Sequence, residues 1–219
     1  EAVVFDFDGT LTELTLDFHH IRAEVLQALV PYVPAEKLRK NTTTYIIEMI
    51  HELAAECEAP LAAAVVREGF RRLVELECEA SRGKDLFPFT RDVLGWLKNR
   101  NIKMGITTRT CIEALRMVFK DLPRYIGPVI TRDDTARVKP HPEQLQKVLE
   151  RLRVGPQRAL MVGDHPTDIM AGRAYGVKTV GVLSGVTGRE AFVEAGADYL
   201  VDDIRALPRI VTGLDGDRS

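Results

Sequence analysis

Asp6 and Asp8 stand one residue apart at the end of the run Val3-Val4-Phe5-Asp6-Phe7-Asp8-Gly9-Thr10-Leu11-Thr12. In an extended chain a period of two throws both carboxylates to the same side. Like charges so placed repel unless a cation or a proton relieves them. Taken alone, Asp-Gly is also compatible with an ordinary capped turn, the less favoured reading. Three further segments, however, stop in polar groups. Lys103-Met104-Gly105-Ile106-Thr107-Thr108-Arg109 ends in hydroxyls and a cation, and Arg137-Val138-Lys139-Pro140-His141-Pro142 sets a lysine before a helix start. Ala159-Leu160-Met161-Val162-Gly163-Asp164-His165-Pro166-Thr167-Asp168 ends in two more carboxylates. Clustered carboxylate oxygens are hard ligands that suit Mg²⁺, which shares its shell with water and substrate phosphate. A lysine and a threonine hydroxyl add charge and a donor for phosphate oxygens. An aspartate beside such a metal can attack phosphorus to give an aspartyl phosphate, while a second protonates the leaving oxygen and later deprotonates water.

Something must bring these residues together. Ala2 to Phe5 reads as a strand buried on both faces, and further strands are expected near Lys103 to Thr107, Pro128 to Thr131, Ala159 to Val162, Lys178 to Val182 and Tyr199 to Val201. Helices fill the gaps, the pattern of a doubly wound, Rossmann-like α/β core with a parallel sheet. Strands of such a sheet present their C-terminal ends on one edge, where ligands bind. Asp6, Asp8, Thr108, Lys139, Asp164 and Asp168 are therefore expected around one site. Pro166 suits the first turn of a helix, which leaves Asp164 at a strand tip and Asp168 in that turn.

Between the first strand and the rest the texture changes. No glycine occurs between Gly9 and Gly69, and helix formers dominate. Asp17 can cap a helix carrying Phe18, Ile21, Val25 and Leu29; Ile46, Met49, Ile50 and Leu53 mark a second; Val66, Phe70, Leu73 and Val74 mark a third after Pro60. An inserted α-helical domain over residues 14–84 is expected, with the core made of residues 1–13 and 85–219. The polar tail from Thr212 to Ser219 is expected to fray.

The 219 residues carry a formal net charge of −2. That balance argues against a nucleic-acid or membrane-surface partner. Arg67, Arg71 and Arg72 read as a solvated helix face, and apolar stretches such as Ala59 to Val66 fall short of the ~18 residues a membrane span needs. The first strand begins at once, so no signal peptide is expected; for want of an initiator Met, a short piece is expected before Glu1. Cys57, Cys78 and Cys111 are odd in number and scattered, as in a cytoplasmic protein with reduced thiols. A monomer or homodimer is expected.

Together, D-F-D-G-T with Asp6, Thr108 in G-I-T-T-R, Lys139 in V-K-P-H-P and G-D-x-x-x-D from Gly163 to Asp168 resemble the four motifs of the haloacid dehalogenase (HAD) superfamily. The resemblance is to its phosphoglycolate-phosphatase-like hydrolases with a helical cap after the first motif. It covers nearly the whole chain in the right order. It implies Asp6 as nucleophile, Asp8 as general acid and base, Thr108 and Lys139 as phosphate ligands, and Asp164 as metal ligand. Asp8 would reach the metal through its backbone carbonyl, and Asp168 would support the metal or touch Lys139. Arg109 departs from the small polar residue of many relatives, and so would either bind an anionic substrate or pair with an acid. The cap lacks the glycine-containing specificity loop of many relatives. His19, His20 and Arg22 at the cap entrance could meet substrate, with exposure or helix capping the more ordinary role; His141 and His165 are expected to stiffen loops.

The activity so implied is a Mg²⁺-dependent phosphatase acting on a small phosphorylated metabolite. A phosphomutase of the β-phosphoglucomutase type would use the same core, and a non-catalytic binding protein on this fold is the alternative of another class. An acid at Asp8 argues against dehalogenation. None of Lys37, Lys40 and Lys84 stands out as a Schiff-base lysine for phosphonate hydrolysis.

Overall fold

The computed structural model describes residues 1–216 and divides into two compact units, Glu1–Leu14 with Gly83 onward, and Thr15–Arg82. Leu14, Gly83 and Lys84, which texture alone assigns to the insert, belong to the first unit.

The first unit is built on β1 (Ala2–Phe5). The second unit follows, with α1 (Phe18–Leu29), α2 (Ala35–Lys40), α3 (Ile46–Ala55) and α4 (Ala59–Ala80). The first unit then resumes with α5 (Thr90–Asn99), β2 (Lys103–Thr107), α6 (Ile112–Val118), β3 (Val129–Ile130), α7 (Glu143–Leu152) and β4 (Ala159–Gly163). It closes with α8 (Pro166–Ala174), β5 (Lys178–Val182), α9 (Arg189–Ala195), β6 (Tyr199–Val201) and α10 (Leu207–Gly216). All strands pair in parallel in the order β3-β2-β1-β4-β5-β6, the doubly wound arrangement expected.

Buried, β-branched strands need apolar cover on both faces. Val3, Phe5, Met104, Ile106, Leu160 and Val162 pack with Leu94 and Leu97 of α5, Leu115 of α6 and Leu207 of α10. On the other face Ala2, Val4, Ile130 and Met161 pack with Leu145, Val148 and Leu149 of α7, apolar positions at helical spacing. Phe5 pairs with Ile106 on one side and Val162 on the other, so the tips of β1, β2 and β4 end at one level. The tail differs from expectation: residues 212–216 continue α10, where the Thr212 hydroxyl donates to the Pro208 and Arg209 carbonyls. Residues 217–219 lie outside the described residues. No helix among the described residues is long and apolar enough to cross a membrane.

In the second unit Asp17 caps α1 by accepting from the His20 N–H, and Ile21, Val25 and Leu29 are buried as their spacing predicts. Helix α4 is turned by one position from the expected face: Val65, Gly69, Leu73 and Leu76 are buried, while Val66, Phe70 and Val74 are only partly so. Gly69 explains the offset. A Cβ there would lie 3.0 Å from Ile50 Cγ1 and Cγ2, so the glycine lets α3 approach closely and draws its own row into the seam. Hydropathy ranks glycine too low to mark a core position. The expected arginine face is an ion-paired surface, with Arg71 on Glu68 and Glu75 and Arg72 on Glu24.

Filling that seam should therefore be costly. Gly69→Val is expected to destabilise the protein by about 1–3 kcal/mol through overpacking. Ile50→Ala, which alone removes a buried side chain, should cost markedly less in the Gly69→Val background. Chemical denaturation of the two single variants and the double variant measures this coupling, and strictly additive losses would contradict the assigned contact.

Candidate active site

Asp6 follows β1 directly, and its N–H donates to the Val162 carbonyl at 2.8 Å, which continues the sheet ladder by one bond. Asp164 follows β4, and Asp168 occupies the third position of α8, whose first residue is Pro166. The three carboxylates each place an oxygen within 4.8 Å of the others, and all three residues are buried. Gly9, at φ +80°, turns the chain after β1, and a Cβ there would lie 2.1 Å from Asp164 Oδ2. Position 185 is equally tight at 2.0 Å, so two bare backbone segments make room for Asp164. The Thr10 hydroxyl lies 3.4 Å from Asp164 Oδ1, and Ser184 donates to the Gly9 carbonyl at 2.7 Å.

Lys139 supplies the charge balance. Its ammonium lies 2.5 Å from Asp6 Oδ1, 2.6 Å from Asp168 Oδ1 and 3.1 Å from the Thr107 carbonyl. It donates hydrogen bonds to Asp6 and the Thr107 carbonyl, while Asp168 is held as an ion pair. Asp168 is thus the partner of Lys139, one of the two roles considered for it, and its Oδ2 accepts from the His165 N–H at 3.1 Å. Thr108 is buried at the tip of β2, where its hydroxyl accepts from the Thr110 N–H at 3.0 Å.

The electrostatics follow from burial. Burial first, then Asp6 and Asp168, push the Asp164 carboxyl up to about 9. Burial likewise pushes Asp6 up to about 6, against the pull of Lys139. Burial alone would lower Lys139, but Asp168 and Asp6 more than offset it and raise it above the usual lysine value. If Asp168 and Lys139 cancel, Asp6 and Asp164 leave two negative charges that the protein neutralises only by taking up protons. A divalent cation would relieve the same strain, and buried, closely spaced carboxylate oxygens are the donor set a hard cation prefers. The residues present fit such an ion.

Two further site residues lie beside the cluster. The Asp8 carboxylate is not part of the cluster: Oδ1 accepts from Lys84 Nζ and Oδ2 from the Thr110 hydroxyl, both at 2.7 Å. Arg109 donates to the Lys139 carbonyl at 2.6 Å, a tie between two loops. His141 and His165 do stiffen their loops, each accepting at Nδ1 from the backbone N–H two residues on. Arg22 spends its donors inside the second unit, on the Thr43 and Asn41 carbonyls. Sequence reasoning missed Lys84, Thr110 and Gln144. Gln144 is fully buried; it donates to the Thr108 carbonyl at 2.8 Å and accepts from the Lys139 N–H at 3.2 Å, so one amide pins two site residues. A polar residue four before Val148, on the apolar face of α7, was the available signal. The Lys139–Pro140 bond is cis.

Residues 3–182 match the family model for haloacid dehalogenase-like hydrolases. The pyrophosphatase PpaX of Bacillus mycoides (strain KBAB4) is 32% identical over 225 residues, covering 98% of each chain. Among solved structures, a hydrolase from Pseudomonas syringae superposes with a TM-score of 0.71 at 22% identity, over 96% of this chain and 98% of that one. A protein from Haemophilus somnus 129pt, described as a predicted phosphoglycolate phosphatase, gives 0.66 at 18% identity, over 96% and 97%.

The raised carboxyls make stability depend on pH with a definite sign. A carboxyl whose pKa is higher in the fold than in the unfolded chain costs nothing below the unfolded value, and stability falls as pH rises from there toward the folded value. In chelator, the melting temperature should therefore decline from about pH 4 to pH 9 through Asp6 and Asp164. A divalent cation competes with those protons, so the stabilisation by added Mg²⁺ should grow with pH over the same range. Calorimetry at several pH values, with and without Mg²⁺, checks it; a cation effect independent of pH would contradict the assignment.

Proposed function

The chain belongs to the haloacid dehalogenase-like hydrolases, and on that premise we propose that it is a Mg²⁺-dependent phosphatase of small phosphorylated molecules, working through an aspartyl phosphate on Asp6. The observation that carries this reading is the meeting of Asp6, Asp164, Asp168 and Lys139 at the C-terminal edge of the sheet. In this reading Asp6 and Asp164 hold the metal together with the Asp8 carbonyl, and Asp168 acts mainly through Lys139. When bound, the ion would neutralise the carboxylates and the substrate's phosphoryl charge.

The protein's own groups then divide the work. An Asp6 carboxylate oxygen attacks phosphorus as the bond from phosphorus to the leaving oxygen breaks, and protonated Asp8 gives that oxygen its proton. Water next attacks the phosphoryl group, the bond to Asp6 breaks, and Asp8, now ionised, takes the proton back. Lys139, next to Asp6, and the Thr108 hydroxyl face the developing negative charge; Arg109 adds a cation at the same edge. The sheet unit carries the chemistry, and residues 15–82 act as a cap that selects substrate. The likeness to a protein named pyrophosphatase makes inorganic pyrophosphate the first compound to try. We place the protein in the cytoplasm, as a monomer or homodimer needing neither nucleic acid nor membrane.

Phosphate release from pyrophosphate and a panel of phosphorylated metabolites, with and without Mg²⁺, tests the reading; no Mg²⁺-dependent release from any of them would overturn it. Asp6→Asn should stay folded and lose turnover. Asp8→Asn should slow alkyl phosphates by ~100- to 10,000-fold. With acetyl phosphate, whose acetate departs without a proton, the same variant should still phosphorylate Asp6. It should hold the adduct longer than wild type by mass spectrometry, whereas equal losses for both leaving groups would remove the acid and base role.

A further inference from the structure

Lys84 lies in the segment that returns to the sheet unit, just after Gly83 at φ +74°. Its side chain is 6% exposed, and that of Asp8, its acceptor, 12%. An ammonium so deeply buried without an acceptor would be costly. Among the described residues Asp8 is the one acceptor it reaches. The backbone carrying Lys84 is tied to the loop carrying Asp8. The Thr12 hydroxyl donates to the Asp85 carbonyl at 2.6 Å, the Phe87 N–H donates to the Leu11 carbonyl at 3.0 Å, and Thr12 bridges to both Asp8 and Leu86. From the opposite side Thr110, two residues past Thr108, holds the other oxygen of Asp8.

We propose that Lys84 is a positioning residue: with Thr110 it holds the Asp8 carboxylate in one orientation, so that the acid and base of the reaction meets the leaving oxygen and then water in a single geometry. The inference rests on the reading of Asp8 as that acid and base. Each carboxylate oxygen has two lone-pair sites, so an oxygen that accepts from Lys84 or Thr110 keeps another for the transferred proton. Lys84 itself gives and takes no proton in this scheme, touches no atom of the substrate and acts through Asp8. It explains why a buried ammonium sits outside the metal-ligand cluster, opposite the hydroxyl of Thr110.

The test uses the whole protein with Mg²⁺, glycerol 2-phosphate as a poor leaving group and acetyl phosphate as a good one. Lys84→Met keeps the buried stem and removes the charge. It should lower kcat on glycerol 2-phosphate by roughly 10- to 100-fold, the usual effect of a misplaced group, with KM changed by less than about twofold. Phosphorylation of Asp6 by acetyl phosphate should proceed at the wild-type rate. Lys84→Arg should recover most of the loss, and Thr110→Val should reproduce it if Lys84→Met fails to fold. In the Asp8→Asn background neither Lys84→Met nor Thr110→Val should slow the enzyme further. Wild-type kcat in both single variants, a loss carried by KM, or losses that multiply with that of Asp8→Asn would overturn the proposal. Wild-type turnover in Asp8→Asn itself would instead overturn the acid and base reading, and this inference with it.

Discussion

The Lys139 ammonium, buried beside Asp6 of the β1 tip, Asp168 of α8 and the Thr107 carbonyl of β2, ties three separately folded pieces of chain together. Removing one partner of a buried ion pair typically costs about 3–5 kcal/mol, because the charge left behind has no water to return to. Here the debt would fall on carboxylates that already repel one another. The strand ends can converge only because this cation accompanies them. Gln144 carries the constraint outward: its amide fixes the Lys139 backbone against the Thr108 carbonyl, so the ammonium and the β2 tip keep their spacing.

Even with Lys139 the cluster remains short of positive charge. Asp164 stands at about 9 and Asp6 at about 6, mostly through burial, so without a cation the fold favours the protonated form of each more than water does. A site that binds a metal and a dianionic phosphate has to be destabilised in their absence, since a set of carboxylates already satisfied by the protein would have little affinity left to offer. The glycines at positions 9 and 185 serve the same end by letting backbone close over Asp164 where any side chain would collide.

Asp6 and Asp8 show how position separates two identical side chains. They are two residues apart, yet Asp6 faces Lys139 and the other acids while Asp8 faces Lys84 and Thr110. The strand ends at Phe5 and the chain turns at Gly9, so the shared face of an ideal strand does not persist to Asp8. One carboxylate sits in an acidic cluster beside an ammonium and the other between an ammonium and a hydroxyl, so different neighbours set the environment of each.

Much of this was legible in the chain itself. The limits of β1, β2, β5 and β6, the Asp17 cap, the parallel sheet and the convergence of Asp6, Thr108, Lys139 and Asp164 follow from local signals: apolar runs, capping residues and polar strand ends, each expressed within about ten neighbouring residues. The sequence did not disclose that Lys84 reaches back 76 positions to Asp8, that Arg109 spends a donor on a carbonyl 30 positions on, or that Gln144 joins two loops. Nor could it show that the seam of α4 runs through Gly69, since hydropathy scores what a residue carries and not how near a neighbour can come. Periodicity and capping act along the chain, so sequence determines them. Pairing and close approach are settled by which segments the packed sheet and helices bring together, and only the tertiary structure decides that.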